Sequence, residues 1–385
     1  MTGAKGRNGT LDIMKAIAII SVVIYHLVYR KMHGVIDNLI REMIYLSIPM
    51  FFMLAGYFYK NGKNLISTLA HRMKKLVLPA AVTMAVLLLL FGPYFMLTRE
   101  SFTAKNWLGE ALLTYLRPEL MEQIAPEFGS GDQLFFNLSP VWFIWTLAWA
   151  SLLFYLVVYF VYDSDVKMLI SSLLLIAVGC VLYVLVDPLS WSLQITPLYA
   201  GLIMLGAYFG KHDLTEILDR ISLVPSLILT LICMVGHYLV FENIGTDLMY
   251  MSILDKDGTV VGGRTYLAAA YFVVETLIGS FALYKISAPI KKAGRFGECM
   301  QWIGRNTLNI LLYHCLIGGI AADIMHTYNK PGPDWYMENV EGRVLTTDVV
   351  VKSWITFIVS MVGCMVICRV LDKIKAGIKS KKQSA

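Results

Sequence analysis

Charge is what this chain lacks most: Asp, Glu, Lys and Arg make up 16% of its 385 residues, apolar residues 57%, and the mean hydropathy is +0.63. A soluble domain carries about 25% charged residues, so the composition excludes an ordinary soluble enzyme or binding module. The 6 cysteines, Cys180, Cys233, Cys299, Cys315, Cys364 and Cys368, form no CxxC pair and sit mostly inside apolar runs. Packing is the role expected of them. Cys364 and Cys368 lie four apart on one helix face without a His or carboxylate beside them, so no metal site is expected. Ser/Pro-rich linkers, low-complexity blocks, internal repeats and soluble domains are all missing, as is the short-range alternation of a membrane barrel.

Long apolar runs are present instead. At about 20 residues per crossing, about ten stretches qualify, near residues 11–29, 41–59, 76–97, 140–162, 167–186, 195–210, 223–241, 265–286, 302–325 and 350–371. The fold expected is an all-α integral membrane protein, one domain over residues 1–385, because a bilayer offers backbone N–H and C=O groups no solvent partner. The sixth stretch is the weakest, being short and interrupted by Pro197 and Gly201. Pro49, Pro197 and Pro225 mark kinks or helix starts, and Gly56, Gly201, Gly206 and Gly279 allow close helix approach. The first stretch lacks the short apolar core and small-residue cleavage site of a signal peptide and carries Lys15 inside its run, so it is expected to stay as helix one.

Most of the 33 Lys and Arg residues fall in connections that share one side with both termini, including Lys60, Lys63, Arg72, Lys74, Lys75, Lys285, Lys291, Lys292, Arg295 and the tail from Lys373 to Lys382. Basic residues collect on the cytoplasmic side, so both termini are expected there, in a multi-pass protein of the cell membrane. The net charge of +6 then faces anionic lipid and argues little for nucleic acid. Longer connections at 98–139, 242–264 and 326–349 fall outside; the first is acidic and aromatic, a solvated cap or a surface for a sugar or peptide acceptor.

The first stretch holds three ionisable residues, Asp12, Lys15 and His26. At about 100° per residue, Lys15 and His26 lie within about 20° of one face and about 16 Å apart along the axis. Asp12 falls near the same stripe. A charge near a span's centre costs roughly 2.5–3.5 kcal/mol, so such groups usually face a protein interior or a water-filled cavity. His314 in the ninth stretch reaches a depth similar to that of His26, and Glu275 falls near the middle of the eighth. A neutral imidazole takes a proton from a hydroxyl and returns it to a leaving group. A carboxylate orients it, as in triad-like arrangements. Between the second and third stretches, His71-Arg72-Met73-Lys74-Lys75 reads as a positive-inside loop or as a grip for a phosphorylated donor such as coenzyme A.

Together these pieces resemble acyltransferase family 3, multi-span bacterial proteins that O-acylate extracytoplasmic glycans and related acceptors. Lys15 with ten intervening residues before His26 resembles the family's opening signature. Ile48-Pro49-Met50-Phe51-Phe52-Met53-Leu54-Ala55-Gly56 is similar to its phenylalanine-rich, Ser-Gly-ended motif, Val141-Trp142-Phe143-Ile144 to its central Trp-Phe pair, and Ile310-Leu311-Leu312-Tyr313-His314 to its late Tyr-His segment. The departures are Lys15 for the usual Arg, Ala55 for the common Ser, and a basic segment reduced to Arg72, Lys74 and Lys75. The chain is similar also to the membrane half of vancomycin-resistance serine racemases, with no racemase module in this sequence.

The resemblance implies acyl-CoA, with acetyl-CoA as the leading donor, and a hydroxyl of a surface glycan, peptidoglycan or lipid-linked precursor as acceptor. Arg72, Lys74 and Lys75 are expected to hold donor phosphates, Lys15 and Asp12 to line the path, and His26 to act as general base or acyl relay. His314 and Glu275 are expected to orient the acceptor or steady His26, with Trp142 and Tyr313 binding substrate. A transporter of a polar solute, an amino acid or a lipid-linked sugar is the alternative. A sensory or scaffold protein leaves the His26 stripe without a purpose.

Overall fold

The computed structural model describes residues 8–28, 35–61, 65–98, 103–116, 141–186, 189–244, 253–254, 260–261, 266–325 and 347–383. Apart from an antiparallel bridge pairing Ile253–Leu254 with Val260–Val261, its regular structure is helical. A helix occupies each of the ten apolar stretches. Seven among the described residues are long and apolar enough to cross a membrane, while Ser47–Tyr57, Leu223–Gly236 and Thr307–Ala322 are shorter apolar segments. This is a multi-pass α-helical membrane protein.

The described residues fall into two compact units, one drawn from Met1–Arg41 and Ile290–Ala385, the other from Glu42–Ser130 and Pro140–Pro289. In the first, α1 (Gly9–Val28) packs against α11 (Gly294–Arg305), α12 (Thr307–Ile324) and α13 (Thr347–Gln383). Asn8 starts α1 by accepting the Thr10 N–H at 3.0 Å, which satisfies one orphan donor of the first turn. Gly304 of α11 faces the Asp12 carbonyl and Gly318 of α12 faces Leu27, so α11 and α12 run parallel to α1. A Cβ on Gly304 would overlap that carbonyl, so only glycine permits the approach. Ser360 of α13 donates to the His314 carbonyl at 2.7 Å and the Cys364 thiol faces the Ile310 carbonyl, an antiparallel pairing of α13 with α12.

The second unit is built from the later part of α2 (Val35–Tyr57) with α3 (Leu65–Thr98), α4 (Ala104–Leu116), α5 (Val141–Val161), α6 (Asp165–Leu185), α7 (Thr196–Lys211), α8 (Thr215–Arg220), α9 (Leu223–Ile244) and α10 (Tyr266–Lys291). Its centre is α7, the weakest stretch by sequence. In the most apolar stretch of Ser190–Lys211 67% of the residues are buried, against 28% in that of α6, the most apolar span. The inversion is physical: a lipid-facing helix must be apolar outward, while a helix enclosed by others needs small residues for close contact. Gly206 meets the Met53 carbonyl of α2, and Gly56 of α2 meets the Ile203 carbonyl of α7, leaving no room for a Cβ on either side. Gly206→Val is therefore expected to cost about 2–3 kcal/mol through overpacking, read as a lower unfolding temperature of the purified protein. Gly377→Val, with nothing within 4 Å of its Cβ position, should leave that temperature unchanged.

Three expectations are refined. Pro197 and Pro225 stand in the first turns of α7 and α9, and Pro49 lies inside α2. The segment His71–Lys75 is not a loop: it lies within α3, whose 34 residues span about 51 Å, longer than a bilayer core. Within connection 98–139, α4 packs on α3, with the Trp107 indole N–H donating to the Leu88 carbonyl at 3.0 Å and the Tyr115 hydroxyl to that of Ala81 at 2.7 Å. Its acidic part beyond residue 116 lies outside the described residues, as do nearly all of 245–265 and all of 326–346.

Candidate functional site

The first unit brings five of the expected site residues, Asp12, Lys15, His26, Tyr313 and His314, onto adjoining helices. Asp12, 3% exposed, stands in the first turn of α1, where the helix dipole favours a carboxylate. Lys15 Nζ is 2.7 Å from Asp12 Oδ1, an ion pair one turn apart. On the side of α1 opposite Lys15, at roughly 140–200° of rotation, Ile17, Ile20 and Ile24 are half-exposed. The face carrying Lys15 and His26 is otherwise sealed by Ile19 and Val22, at 1% and 3% exposure, yet both polar side chains stay partly accessible. The ionisable stripe and these partly accessible isoleucines thus lie on opposite sides of α1.

His26 meets His314 of α12, with ring centroids 5.3 Å apart and planes tilted by 47°. Among the described residues the His26 ring makes only ring contacts, the other being the edge of Tyr25 at 5.6 Å. Neither of its nitrogens makes a hydrogen bond among the described residues. His314 is fully buried, and its Nδ1 sits 3.0 Å from the Ile310 carbonyl and 2.9 Å from that of Leu311. Carbonyl oxygens only accept, so this nitrogen carries the hydrogen and Nε2 presents a lone pair. Cys315 Sγ lies 3.2 Å from that Nε2, in position for the thiol to donate. Tyr313, next in sequence, is half-buried.

Cys315, expected from the sequence to serve packing alone, also meets an imidazole. With Cys364 and Cys368 it is buried, as packing cysteines should be, while Cys180 is half-buried and Cys299 exposed on α11. Cys315 stands against an imidazole, that of His314. The available signal was its adjacency to His314 in Tyr313-His314-Cys315.

The second unit holds the other flagged residues. Arg72 donates from Nε to the Tyr155 hydroxyl at 3.0 Å and from Nη2 to the Ala55 carbonyl at 3.1 Å. The latter caps the C-terminal end of α2, where a cation opposes the dipole and fills an orphan acceptor. Because that contact uses a main-chain oxygen, Ala for Ser at position 55 leaves it intact. Lys74 and Lys75 are exposed. Trp142 is buried at the start of α5, edge-on to Phe143, which packs on Phe51 and Phe52; Phe52 stacks on Tyr199 at 3.9 Å. The phenylalanine motif therefore builds an aromatic core. Glu275 is buried in the middle of α10, and its convergence with the histidines stays an expectation of the sequence. Two small crevices, one against Met84 and Ile144 and one against Tyr199 and Phe272, are apolar and hold no acid–base pair.

Many apolar helices, with a histidine pair and an ion pair inside one unit, define a polytopic membrane protein that carries ionisable groups within its helices. The family model for this acyltransferase domain matches residues 8–372, nearly the whole chain, and the chain belongs to acyltransferase family 3. Comparison with curated proteins and with solved structures gives no significant match.

Proposed function

We propose that this membrane acyltransferase is an O-acetyltransferase of the cell membrane, crossing it ten times with both termini in the cytoplasm. It takes an acyl group from acetyl-CoA and places it on a hydroxyl of an extracytoplasmic glycan, peptidoglycan or lipid-linked precursor. The observation that carries this reading is the His26–His314 pair: an imidazole in ring contact with a second whose tautomer is set by backbone carbonyls, its own nitrogens making no hydrogen bond among the described residues. His26 accepts the proton of the acceptor hydroxyl as general base, and His314 steadies it. The parallel course of α1 and α12 supports the topology, since the first and ninth of ten crossings must run the same way.

The other roles belong to the same proposal. Asp12 and Lys15 form a polar entry on α1, and Tyr313 offers a hydroxyl to substrate near His314. Arg72 spends two N–H donors on the fold and keeps the rest of its fork for a donor phosphate, with Lys74 and Lys75 adding charge. Glu275 supplies a carboxylate, and Trp142 shapes the acceptor region.

The test is mass analysis of cell-envelope polymers from cells with and without the protein. An acetyl-sized difference on one polymer supports the reading and names the recipient; identical polymers contradict it. Lys15→Arg should keep transfer within about threefold, because a guanidinium still pairs with Asp12, whereas Lys15→Ala should lose about tenfold or more by removing the cation from this buried ion pair. Equal loss in both variants, measured at matched protein abundance, would show that charge at this position is not the requirement.

A further inference from the structure

We infer that Cys315 is the acyl-carrying nucleophile of this site, so that transfer runs through a thioester on the protein. The inference rests on the acyltransferase reading and places the relay on sulfur, leaving His26 the acceptor's base. Its basis is geometric. A nucleophile needs a base within hydrogen-bond reach and a third group that orients the base. Cys315 Sγ lies 3.2 Å from His314 Nε2, and His314 Nδ1 is fixed by the carbonyls of Ile310 and Leu311 at 3.0 and 2.9 Å. The tautomer so imposed is the one that can accept a thiol proton. The Ser360 hydroxyl on the His314 carbonyl braces the same turn from α13. Cys364 faces a main-chain carbonyl, so the arrangement is not a property of every buried cysteine in the unit.

The chemistry balances without any further reactant. The Cys315 thiol gives its proton to His314 Nε2 as sulfur attacks the carbonyl carbon of the acyl-CoA thioester. The bond from that carbon to the coenzyme sulfur breaks, and the departing thiolate takes the proton from His314. In the second half the acceptor hydroxyl gives its proton to His26, and its oxygen attacks the Cys315 thioester. The carbon–sulfur bond breaks, and the Cys315 thiolate recovers a proton from His26. One thioester replaces another in the first half, so no energy input is required. At 3% exposure Cys315 is screened from water, which protects a thioester from hydrolysis until a hydroxyl reaches it.

The experiment uses the full-length purified protein in lipid nanodiscs with acetyl-labelled acetyl-CoA, first without acceptor and then with the polymer or precursor whose acetylation depends on the protein. After rapid acid quench and proteolysis, one label per chain on the Cys315 peptide is expected, released by neutral hydroxylamine. It should disappear when acceptor is added and be absent from Cys315→Ala, whose abundance and unfolding temperature should stay near wild type. Four results would overturn the relay: transfer to acceptor with no label ever found on the protein, label on His26 instead, label only on the exposed Cys299, or full transfer by Cys315→Ala. The first and last of these leave the acyltransferase reading standing. If acetyl-CoA yields neither free coenzyme A nor labelled acceptor, both readings fall together.

Discussion

His26→Ala is expected to reduce acyl transfer by about 10²–10⁴-fold, the range attributed to a positioned general acid–base group, while the protein stays in the membrane at near-normal abundance. The second half of that expectation follows from the contacts. The His26 ring makes no hydrogen bond within the described residues; it touches Tyr25 and His314 only through ring contacts, and His314 is held by its own helix. Truncation therefore leaves no buried donor or acceptor stranded, and the main loss is ring packing. Immunodetection in membrane fractions, together with transfer to the acceptor at matched protein, separates the two quantities. Loss of the protein from the membrane would assign His26 to packing, and full activity at normal abundance would remove it from the chemistry.

His314→Asn is expected to lower transfer by about 10²-fold or more, with abundance again near wild type. Asparagine places an amide N–H near the position of Nδ1, so the donation to the Ile310 and Leu311 carbonyls survives. What disappears is Nε2, the atom that faces Cys315. His314→Gln tests the complement by placing its amide nearer the position of Nε2 without a titratable lone pair, and it should be equally inactive. If His314→Asn retains wild-type rates, the residue merely organises its helix and acts on no proton. If both variants lose abundance in step with activity, packing is again the simpler account.

Much of this was legible in the sequence because the bilayer restricts the choices. Lys15 and His26 share a stripe by helical arithmetic alone, and their cost in an apolar run already placed them on a face turned away from lipid. In the structure Ile17, Ile20 and Ile24, opposite that stripe, are partly accessible, as Lys15 and His26 are. The depth of His314 was also readable, while its tautomer was not, since that depends on which carbonyls its ring meets. Hydropathy misjudged α7 because it measures fitness for lipid and α7 is enclosed by protein. The basic segment of α3 looked like a loop because charge usually ends a span; here the helix runs on beyond the apolar core and Arg72 folds back to cap α2. Cys315 reads as a packing residue in the sequence because a buried cysteine shows no other purpose until the nitrogen beside it is located.

The central claim is that the ionisable stripe of α1 serves acyl transfer and not the passage of a solute. The most direct measurement follows labelled acetyl-CoA in sealed vesicles reconstituted with the purified protein, supplied on the face bearing the termini, with a hydroxyl-bearing acceptor on the opposite face. Release of free coenzyme A matched by acetyl ester on the acceptor, with neither above background for His26→Ala, is the predicted result. Untouched acetyl-CoA in vesicles that instead dissipate a gradient of an amino acid or a lipid-linked sugar would contradict it.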